Sequence, residues 1–312
     1  GLRPPWRASP PNSAADARAT FTGGARRSSD APRFVFAGGS SLLKSLLTAA
    51  LRSTGLLPVA EAVLRNRAVR RAAPENRNFA AEHPGFVPPP PEILYETATH
   101  ASFARYRDTG EEACRALAER AASARADHGD APVVDILDWG AGVMRVTRWW
   151  AQIEPQACVT AAEPEPRAVA WAKTALPEIH QIACPPSPPL PAENASFDLI
   201  YGISILTHLP VSEQRAWVAE LTRLARPGGL IALTVHGARA AEGFSAAEAA
   251  RWARGEPVER ANVRRGSRLY AAYTPAAYLR ARLFDGLEIV QVEADSPVAH
   301  GGQDLWLLRK PA

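Results

Sequence analysis

The segment that most constrains this chain runs from Val133 to Arg148 and reads VVDILDWGAGVMRVTR. Its first part, Val133 to Leu137, has the length and the β-branched content of a buried parallel strand. Asp138 follows, then the turn Gly140-Ala141-Gly142, and then a helix-compatible segment, Val143 to Trp150. A strand, a glycine turn and a helix in this order bring backbone N–H groups and a helix N-terminus against a nucleotide-like ligand. The segment therefore predicts an α/β fold with a ligand at the turn.

The spacing of the turn restricts the kind of ligand. It lacks the G-x-x-x-x-G-K-S/T pattern, which argues against a loop that cradles a triphosphate. Arg145 occupies the third-glycine position of the dinucleotide fingerprint G-x-G-x-x-G. The carboxylate of Asp138, placed before the first glycine, would repel a pyrophosphate. The D-x-G-x-G spacing therefore favours a cationic ligand without phosphate.

The same residues resemble the first motif of the class I S-adenosylmethionine-dependent methyltransferases, E/D-x-G-x-G-x-G, with Met144 in place of the last glycine. Two later segments extend the resemblance: FDLIYGISILTHL, from Phe197, and RPGGLIALTVHG, from Arg226, whose P-G-G turn feeds the fifth strand. The P-P-L-P and S-x-x-T-H-L segments resemble a bacterial subset of small-molecule methyltransferases that is associated with sugar or glycan modification. The resemblance covers Pro132 to Lys310 and, more weakly, the HPGFVPPPPE segment upstream.

The resemblance implies a Rossmann-like α/β domain over residues 131–312. Its seven-stranded, mostly parallel sheet has the order 3-2-1-4-5-7-6, with helices on both faces and an antiparallel last strand. Apolar runs predict strands at 133–137, 158–162, 179–183, 196–204, 230–237, 287–293 and 304–308. One helix is predicted at 166–175, and a second ends at the P-G-G turn. A third begins after Thr274, which is its cap, with Pro275 as its first residue. An insertion over 237–273, helical from Ala246 to Arg254, leaves the carboxyl end of the fifth strand and is placed to cover a crevice.

The candidate cofactor site is formed by strand ends. Glu163 follows the second strand, 25 residues past Asp138, which is close to the spacing at which a carboxylate meets ribose hydroxyls. The alternative is that Glu163, followed by Pro164, caps the next helix. Asp138 is predicted to face the methionyl end of the cofactor, and the end of the fourth strand is predicted to contact the cofactor as well. The predicted cofactor-binding residues are Asp138, Trp139, Gly140, Ala141, Gly142, Glu163, Pro164, Tyr201, Ile203 and Ser204. Many relatives carry an Asp for the adenine amino group after the third strand, and this chain has none there.

Methyl transfer from a sulfonium requires alignment and exclusion of water more than covalent help from the protein. An oxygen acceptor benefits from a general base, and His208 and His236 are the predicted catalytic residues because both stand at carboxyl ends of predicted strands. Structural roles for both are the alternative, and His300 is a further candidate. The predicted function is O-methylation of a small-molecule or sugar acceptor with S-adenosyl-L-methionine. An NAD(P)-dependent Rossmann oxidoreductase and a non-catalytic cofactor-binding module are the alternatives.

The composition excludes several other classes of protein. The net charge is +4, but Lys occurs only at 44, 173 and 310 and Arg is scattered, which argues against a nucleic-acid partner. Cys114, Cys158 and Cys184 lack C-x-x-C spacing, so neither a zinc site nor a disulfide framework is predicted. This pattern fits a reducing compartment, and the predicted location is the cytoplasm. No apolar run reaches the roughly 18–20 residues that span a bilayer, so no membrane insertion is predicted.

The N-terminal region has a different composition. Residues 1–35 are rich in Pro, Ser, Gly, Ala and Arg and are predicted to be a disordered tail, with an organelle transit peptide as the alternative. Residues 36–130 are predicted to form a helical extension with a stiff Pro-rich linker at 83–91. Its helices are predicted over 41–71, in two pieces broken at Gly55 and Pro58, and over 93–103 and 111–126. We expect these helices to cap the catalytic domain or to pack on a second subunit, which makes a homodimer a candidate. A membrane-surface helix over 41–71 is the alternative.

Overall fold

The computed structural model describes residues 57–260, 270–299 and 302–312. The predicted tail, the beginning of the predicted N-terminal helix and His300 lie outside these residues. Two units are distinguished in the chain, 1–30 and 31–312, and all of the described residues belong to the second. The division at residue 131 between extension and methyltransferase domain stays a prediction.

A mostly parallel sheet lies at the centre of the described residues. Its strands in chain order are β1 Asp135–Trp139, β2 Cys158–Glu163, β3 His180–Ala183, β4 Phe197–Gly202, β5 Ala225–His236, β6 Val258–Arg260, β7 Ala271–Tyr273, β8 Glu288–Glu293 and β9 Gln303–Arg309. The principal strands lie in the order β3-β2-β1-β4-β5-β9-β8, and β9 is antiparallel to both of its neighbours. When the short β6 and β7 of the insertion are left out, β8 is the sixth strand and β9 the seventh. The order is then 3-2-1-4-5-7-6, which confirms the prediction.

Helices cover both faces of the sheet. They are α1 Leu57–Glu82, α2 Pro91–Ala98, α3 Phe103–Ala126, α4 Trp150–Ile153, α5 Pro166–Ala175, α6 Val211–Leu224, α7 Ala246–Ala253 and α8 Ala276–Tyr278. Side chains alternate along β1, so Leu137 and Trp139 pack with α6 residues such as Trp217. Ile136 packs on the opposite face with α3 residues such as Cys114. All residues of β1 are buried, and its two carboxylates are paired within the protein, Asp135 with Arg226 and Asp138 with Tyr201.

Several helix boundaries differ from those predicted. α1 continues to Glu82, past the predicted end at Arg71, and α2 ends at Ala98, before the predicted end at Phe103. The segment after the glycine turn forms a 3-10 turn, Thr147–Trp149, and the single turn α4, because Gly142 and Met144 adopt left-handed φ angles of 57° and 54°. α3 begins eight residues before the predicted start, since Gly110 continues the helix. The helix after Pro275 is short and continues as a π-helix, Leu279–Leu283.

Asp198 joins the amino ends of two strands, at the edge of the sheet opposite to the turn. Its Oδ2 accepts hydrogen bonds from the amides of Val134 (3.0 Å) and Asp135 (2.9 Å), and its Oδ1 lies 2.7 Å from the Arg226 guanidinium. Burial raises the pKa of Asp198, but these donors outweigh burial and hold it below its usual value. The carboxylate therefore stabilises the fold in its ionised form.

Replacing this carboxylate is expected to destabilise the protein. Asp198→Ala leaves the amides of Val134 and Asp135 without their acceptor and removes one of the two carboxylate partners of Arg226, which is expected to lower the free energy of unfolding by about 2–4 kcal/mol. Urea denaturation measures the change, with Glu193→Ala on the exposed surface as the control. The contribution is present above the unfolded pKa and is lost as the pH falls through the folded pKa. Equal unfolding midpoints for the two variants would contradict the assignment.

No helix within the described residues combines the length and the apolar character that crossing a membrane requires. In the same part of the chain, no group of three or more His, Cys, Asp or Glu side chains is arranged to hold a metal ion.

Candidate cofactor and acceptor site

The glycine turn is closed by hydrogen bonds within the protein. Gly140 N and Ala141 N both donate to the carbonyl of Ala162, at 2.8 and 3.2 Å, and Gly142 N donates to Glu163 Oε2 at 2.6 Å. The strand–turn–helix pattern predicted that backbone amides of the turn face the ligand. That prediction is wrong for these three amides, because each donates to a group of the protein. A pyrophosphate is bound by amides that converge on it, so this arrangement favours the predicted ligand without phosphate.

Met144 takes the conformation that the last glycine of the motif would favour. Its φ is 54°, in the left-handed region that costs a residue with a side chain about 1–2 kcal/mol. The side chain is completely buried and packs with Ala141 of the turn, Ala161 of β2 and Ala172 of α5. Burial of the thioether offsets the backbone strain, and Met144 fills the space behind the turn.

Gly140 has no room for a side chain. Its φ is 76°, and a Cβ built on it would lie 2.1 Å from Ile205 Cδ1. Gly140→Ala is therefore expected to lower the free energy of unfolding by about 2–3 kcal/mol, of which roughly 1 kcal/mol is backbone strain. Urea denaturation measures the loss, and a weaker affinity for S-adenosylhomocysteine is expected with it.

The matched control for this prediction is Gly129→Ala. Gly129 has a similar φ of 70° with nothing within 4 Å of its Cβ direction, so it reports backbone strain alone. Adding Ile205→Ala to Gly140→Ala should recover the part of the loss that is due to the clash. An equal loss for the Gly129 and Gly140 variants would contradict the close contact with Ile205.

Three of the predicted cofactor residues have buried side chains beneath the turn. Asp138 Oδ2 accepts hydrogen bonds from Thr147 Oγ1 at 2.5 Å and from the Tyr201 hydroxyl at 2.7 Å. The ring of Trp139 packs 5.1 Å from that of Trp217. Burial raises the pKa of Asp138 to about 6, although the two hydrogen bonds oppose this rise. The structure thus gives Trp139 and Tyr201 packing roles, and Asp138 holds the turn; a contact of Asp138 with the methionyl group stays a prediction.

Glu163 lies at the tip of β2, directly beside the turn. Its Oε2 accepts from Gly142 N at 2.6 Å and its Oε1 from Glu165 N at 2.8 Å, which leaves each oxygen a further lone pair. Burial raises the pKa of Glu163 to about 7 against the effect of these two amides, and Asp138 adds to the rise. The helix cap that was the alternative role belongs to Glu165, whose side chain accepts from Arg167 N. Pro164 is exposed beside it.

A polar cluster lies where β4 and β5 end. Ser204, with a left-handed φ of 63°, donates its amide to Thr234 Oγ1 at 2.7 Å. Gln303 Nε2 donates to Ser204 Oγ at 2.8 Å, and Thr234 Oγ1 donates to Gln303 Oε1 at 2.8 Å. Ile203 is partly buried next to this cluster. The sequence analysis missed Gln303, which is brought here because it pairs with His236 in the antiparallel register of β5 and β9.

His236 is the last residue of β5 and faces the insertion. Its imidazole stacks on the ring of Tyr273, with ring centroids 4.7 Å apart and planes 23° apart. Its Nδ1 is buried and has no hydrogen-bond partner among the described residues. Burial, and then the charges of His208 and Arg260, lower the pKa of His236 to about 4. The ring is therefore neutral at physiological pH and presents a buried nitrogen that is not engaged.

His208 lies in a 3-10 turn, Leu206–His208, after β4. Its Nδ1 is 2.9 Å from the carbonyl oxygen of Tyr270. Because a carbonyl only accepts, Nδ1 carries the hydrogen, and in the neutral ring Nε2 is the basic nitrogen. His208 thus joins this turn to the insertion, which is a structural role of the kind that the sequence left open.

The remaining walls come from the N-terminal extension and the insertion. Thr97 of α2 is the nearest side chain to Gly142, with its Cβ 3.5 Å from a Cβ built there. The Tyr106 hydroxyl of α3 donates to the carbonyl of Val143 at 2.7 Å. On the other side, Phe244 of the insertion packs edge-on against Tyr273, at 4.9 Å. The turn, Glu163 and His236 therefore share one edge of the sheet, and two further segments enclose it.

Comparison with known families agrees with this geometry. Residues 136–229 match the model of a family described as a methyltransferase domain. The match runs from β1 into β5, and it contains the glycine turn, Glu163 and His208. Residues 136–229 thus carry a methyltransferase domain, and the strands around it have the class I order. The predicted enzyme class and its cofactor, S-adenosyl-L-methionine, are confirmed, and the oxidoreductase alternative is set aside.

Several solved structures have similar folds. An amino pentose methyltransferase from Micromonospora echinaspora, involved in calicheamicin biosynthesis, is 20% identical over 70% of this chain and 96% of its own, with a TM-score of 0.48. The 1,6-didemethyltoxoflavin-N1-methyltransferase of Burkholderia thailandensis is 19% identical over 78% and 91%, with a TM-score of 0.46. The N-methyltransferase NodS of Bradyrhizobium japonicum is 18% identical over 70% and 97%, with a TM-score of 0.44. Among curated proteins, none matches this chain.

Proposed function

We propose that this methyltransferase transfers a methyl group to a hydroxyl oxygen of a small-molecule or saccharide acceptor, with His236 as the general base. The observation that carries the proposal is the buried Nδ1 of His236, which has no partner among the described residues. A neutral imidazole at the carboxyl end of β5 is in the correct state to accept a proton. An amine acceptor in its neutral form has less need of such a base.

The residues of the site divide the work of this reaction. Glu163 accepts hydrogen bonds from the ribose hydroxyls, and the turn at Gly140 and Gly142 allows close approach of the cofactor. When bound, the cofactor supplies an electrophilic methyl group on a sulfonium. His236 takes the proton of the acceptor hydroxyl as the oxygen–carbon bond forms and the sulfur–carbon bond breaks. Phe244 and Tyr273 keep water from the base.

The surroundings of His236 support a polyhydroxylated acceptor. Ser204, which is held by the buried Thr234 and Gln303, offers a hydroxyl on the same edge of the sheet, and Phe244 of the insertion offers a partly exposed aromatic ring. Pockets of this kind bind a ligand with apolar walls and orient it with a few polar groups. A saccharide or glycoside matches this combination of groups.

The test has two stages. Calorimetric titration with S-adenosylhomocysteine, with NAD(H) and NADP(H) as controls, should show binding of the first alone. A panel of sugars, glycosides, phenols and amines is then screened for methyl transfer, and the product is analysed for an O-methyl group. N-methylation of an amine, with no reaction of any hydroxyl compound, would contradict the proposal. Binding without any turnover would favour the non-catalytic module.

Two further assignments are also proposals. A homodimer through the N-terminal helices is supported by Val59 and Val63 of α1, which are 61% and 46% exposed. Light scattering of the purified protein, and of a Val59→Glu and Val63→Glu double variant, tests it. The cytoplasmic location rests on the cysteine pattern alone.

A further inference from the structure

Arg260, at the end of β6, connects three parts of the insertion. Its Nε and Nη2 lie 2.8 and 3.1 Å from the two carboxylate oxygens of Glu248 in α7. Its Nη2 also donates to the carbonyl of Gly243 at 3.1 Å. Its Nη1 lies 3.4 Å from the hydroxyl of Tyr273, and the guanidinium is 5.2 Å from the centre of that ring. One side chain thus joins α7 to β7.

Tyr273 carries this connection to His236. In the described residues, β7 pairs with β5 only at Tyr273 and His236, and the two rings are stacked there. The orientation of the imidazole therefore depends on where the Tyr273 ring lies. The sequence offered no indication of this chain of contacts, because Glu248, Arg260 and Tyr273 are separated by 12 and 13 residues.

Helix α7 is attached to the domain by few contacts. None of its residues is buried, so little apolar surface holds it in place. Trp252 packs edge-on against Phe244 at 5.6 Å, and Glu248 pairs with Arg260. A two-point Arg–carboxylate pair is directional as well as attractive, so it fixes where the helix docks.

We infer that Arg260 is a positioning residue, which couples docking of helix α7 through Tyr273 to the orientation of the imidazole of His236. This inference rests on the proposed role of His236 as the base. It identifies the insertion as the part of the chain that completes the acceptor site. The groups that face His236 from the elements packed against it are His208, Arg260 and the ring of Tyr273.

The effect of the Arg260 charge on the pKa of His236 can be measured separately from the effect of Arg260 on the position of the imidazole ring. The positive charge of Arg260 and the docked insertion both keep the imidazole neutral, so loss of either raises the pKa of His236 from about 4 toward its ordinary value of 6.5. At about pH 8 the imidazole is neutral in either case. A loss of turnover at that pH therefore reports the position of the ring and not its protonation.

The experiment compares Arg260→Gln, Arg260→Lys and Glu248→Gln with Arg254→Gln. Arg254 is the matched control because it forms an exposed ion pair with Glu256 beyond the end of the same helix. Titration of the imidazole signals by NMR, with the His236 signal assigned through His236→Gln, gives the pKa in each variant. We expect Arg260→Gln to lower kcat at pH 8 by roughly 10- to 100-fold, with an unchanged affinity for S-adenosylhomocysteine. Arg260→Lys, which keeps the charge but not the two-point geometry, should lose turnover with a smaller pKa change.

An unmoved His236 pKa and unchanged kcat in both Arg260→Gln and Glu248→Gln would overturn the inference. Circular dichroism and binding of S-adenosylhomocysteine identify a variant that fails to fold, and Glu248→Gln then provides the test. Failure of the proposed function gives a different result from failure of this inference. If His236 is not the base, His236→Gln retains turnover, while the pKa of His236 still changes in Arg260→Gln.

Discussion

His236→Gln is expected to lower kcat roughly 100- to 10,000-fold, which is the usual range for loss of a general base. Glutamine retains a hydrogen-bonding oxygen of similar reach, so the acceptor hydroxyl is still held, but the amide does not take up its proton. Because His236 lies at the end of β5 and the proposed ribose contact, Glu163, lies at the end of β2, the affinity for S-adenosylhomocysteine should change little. Steady-state kinetics at saturating cofactor give the comparison.

The control is His128→Gln, since the side chain of His128 is 46% exposed and lies beside Glu288, at the start of β8. The pH dependence provides a second check. The base must be neutral, so kcat of the unmodified protein should be level between about pH 6 and pH 8 and should fall as the pH drops toward the His236 pKa of about 4. Full turnover by His236→Gln would dismiss this base and direct attention to His208.

Glu163→Gln is expected to weaken binding of S-adenosylhomocysteine by roughly 10- to 100-fold, because at least one hydrogen bond to an ionised carboxylate is lost. Glutamine keeps one acceptor oxygen for the amide of Gly142, which holds the turn, while its NH2 group replaces the oxygen that accepts from the amide of Glu165. Calorimetry measures the affinity. Glu165→Gln is the matched control, as it lies two residues away and retains an oxygen to cap α5.

The same carboxyl group makes cofactor binding dependent on pH. Its pKa of about 7 means that the free protein holds it partly protonated at neutral pH, and the proposed contact with the ribose hydroxyls requires the ionised form. Affinity should therefore fall as the pH drops below about 7, by up to tenfold per unit, and Glu163→Gln should abolish this slope. Proton release on binding, measured in buffers of different ionisation enthalpy, checks the sign. Proton uptake would contradict the assignment.

The contribution of Glu163 to folding stability falls as the pH rises, whereas its contribution to cofactor affinity rises with pH. Its folded pKa of about 7 lies above the ordinary value of 4.5, so the cofactor-free fold binds more protons than the unfolded chain between these values. The stability that this group contributes is full below about pH 4.5 and is lost as the pH rises through 7. A ligand that requires ionised Glu163 should therefore stabilise the protein more at pH 8 than at pH 6.

Local patterns predicted much of the fold. The predicted helix over 166–175 has the observed bounds of α5, because Pro166 starts it and an acidic cap precedes it. The second strand was also placed within one residue. The prediction failed at α3, which begins at Phe103 and not at Glu111 and runs through Gly110. Its lack of a side chain lets the helix lie against the turn, since a Cβ there would be 2.1 Å from the carbonyl of Arg145.

The sequence by itself determined the positions of the main strands, the glycine turn and the acid at the end of β2, because these depend on residues close together in the chain, and the order of the strands followed from the resemblance to a family. The tertiary structure alone decided what the polar groups do. It buried Asp138 against Thr147 and Tyr201, and it joined Arg260 to His236 through Tyr273. The pKa of a buried group and the orientation of its ring depend on residues distant in sequence, which meet only when the sheet and the insertion have packed.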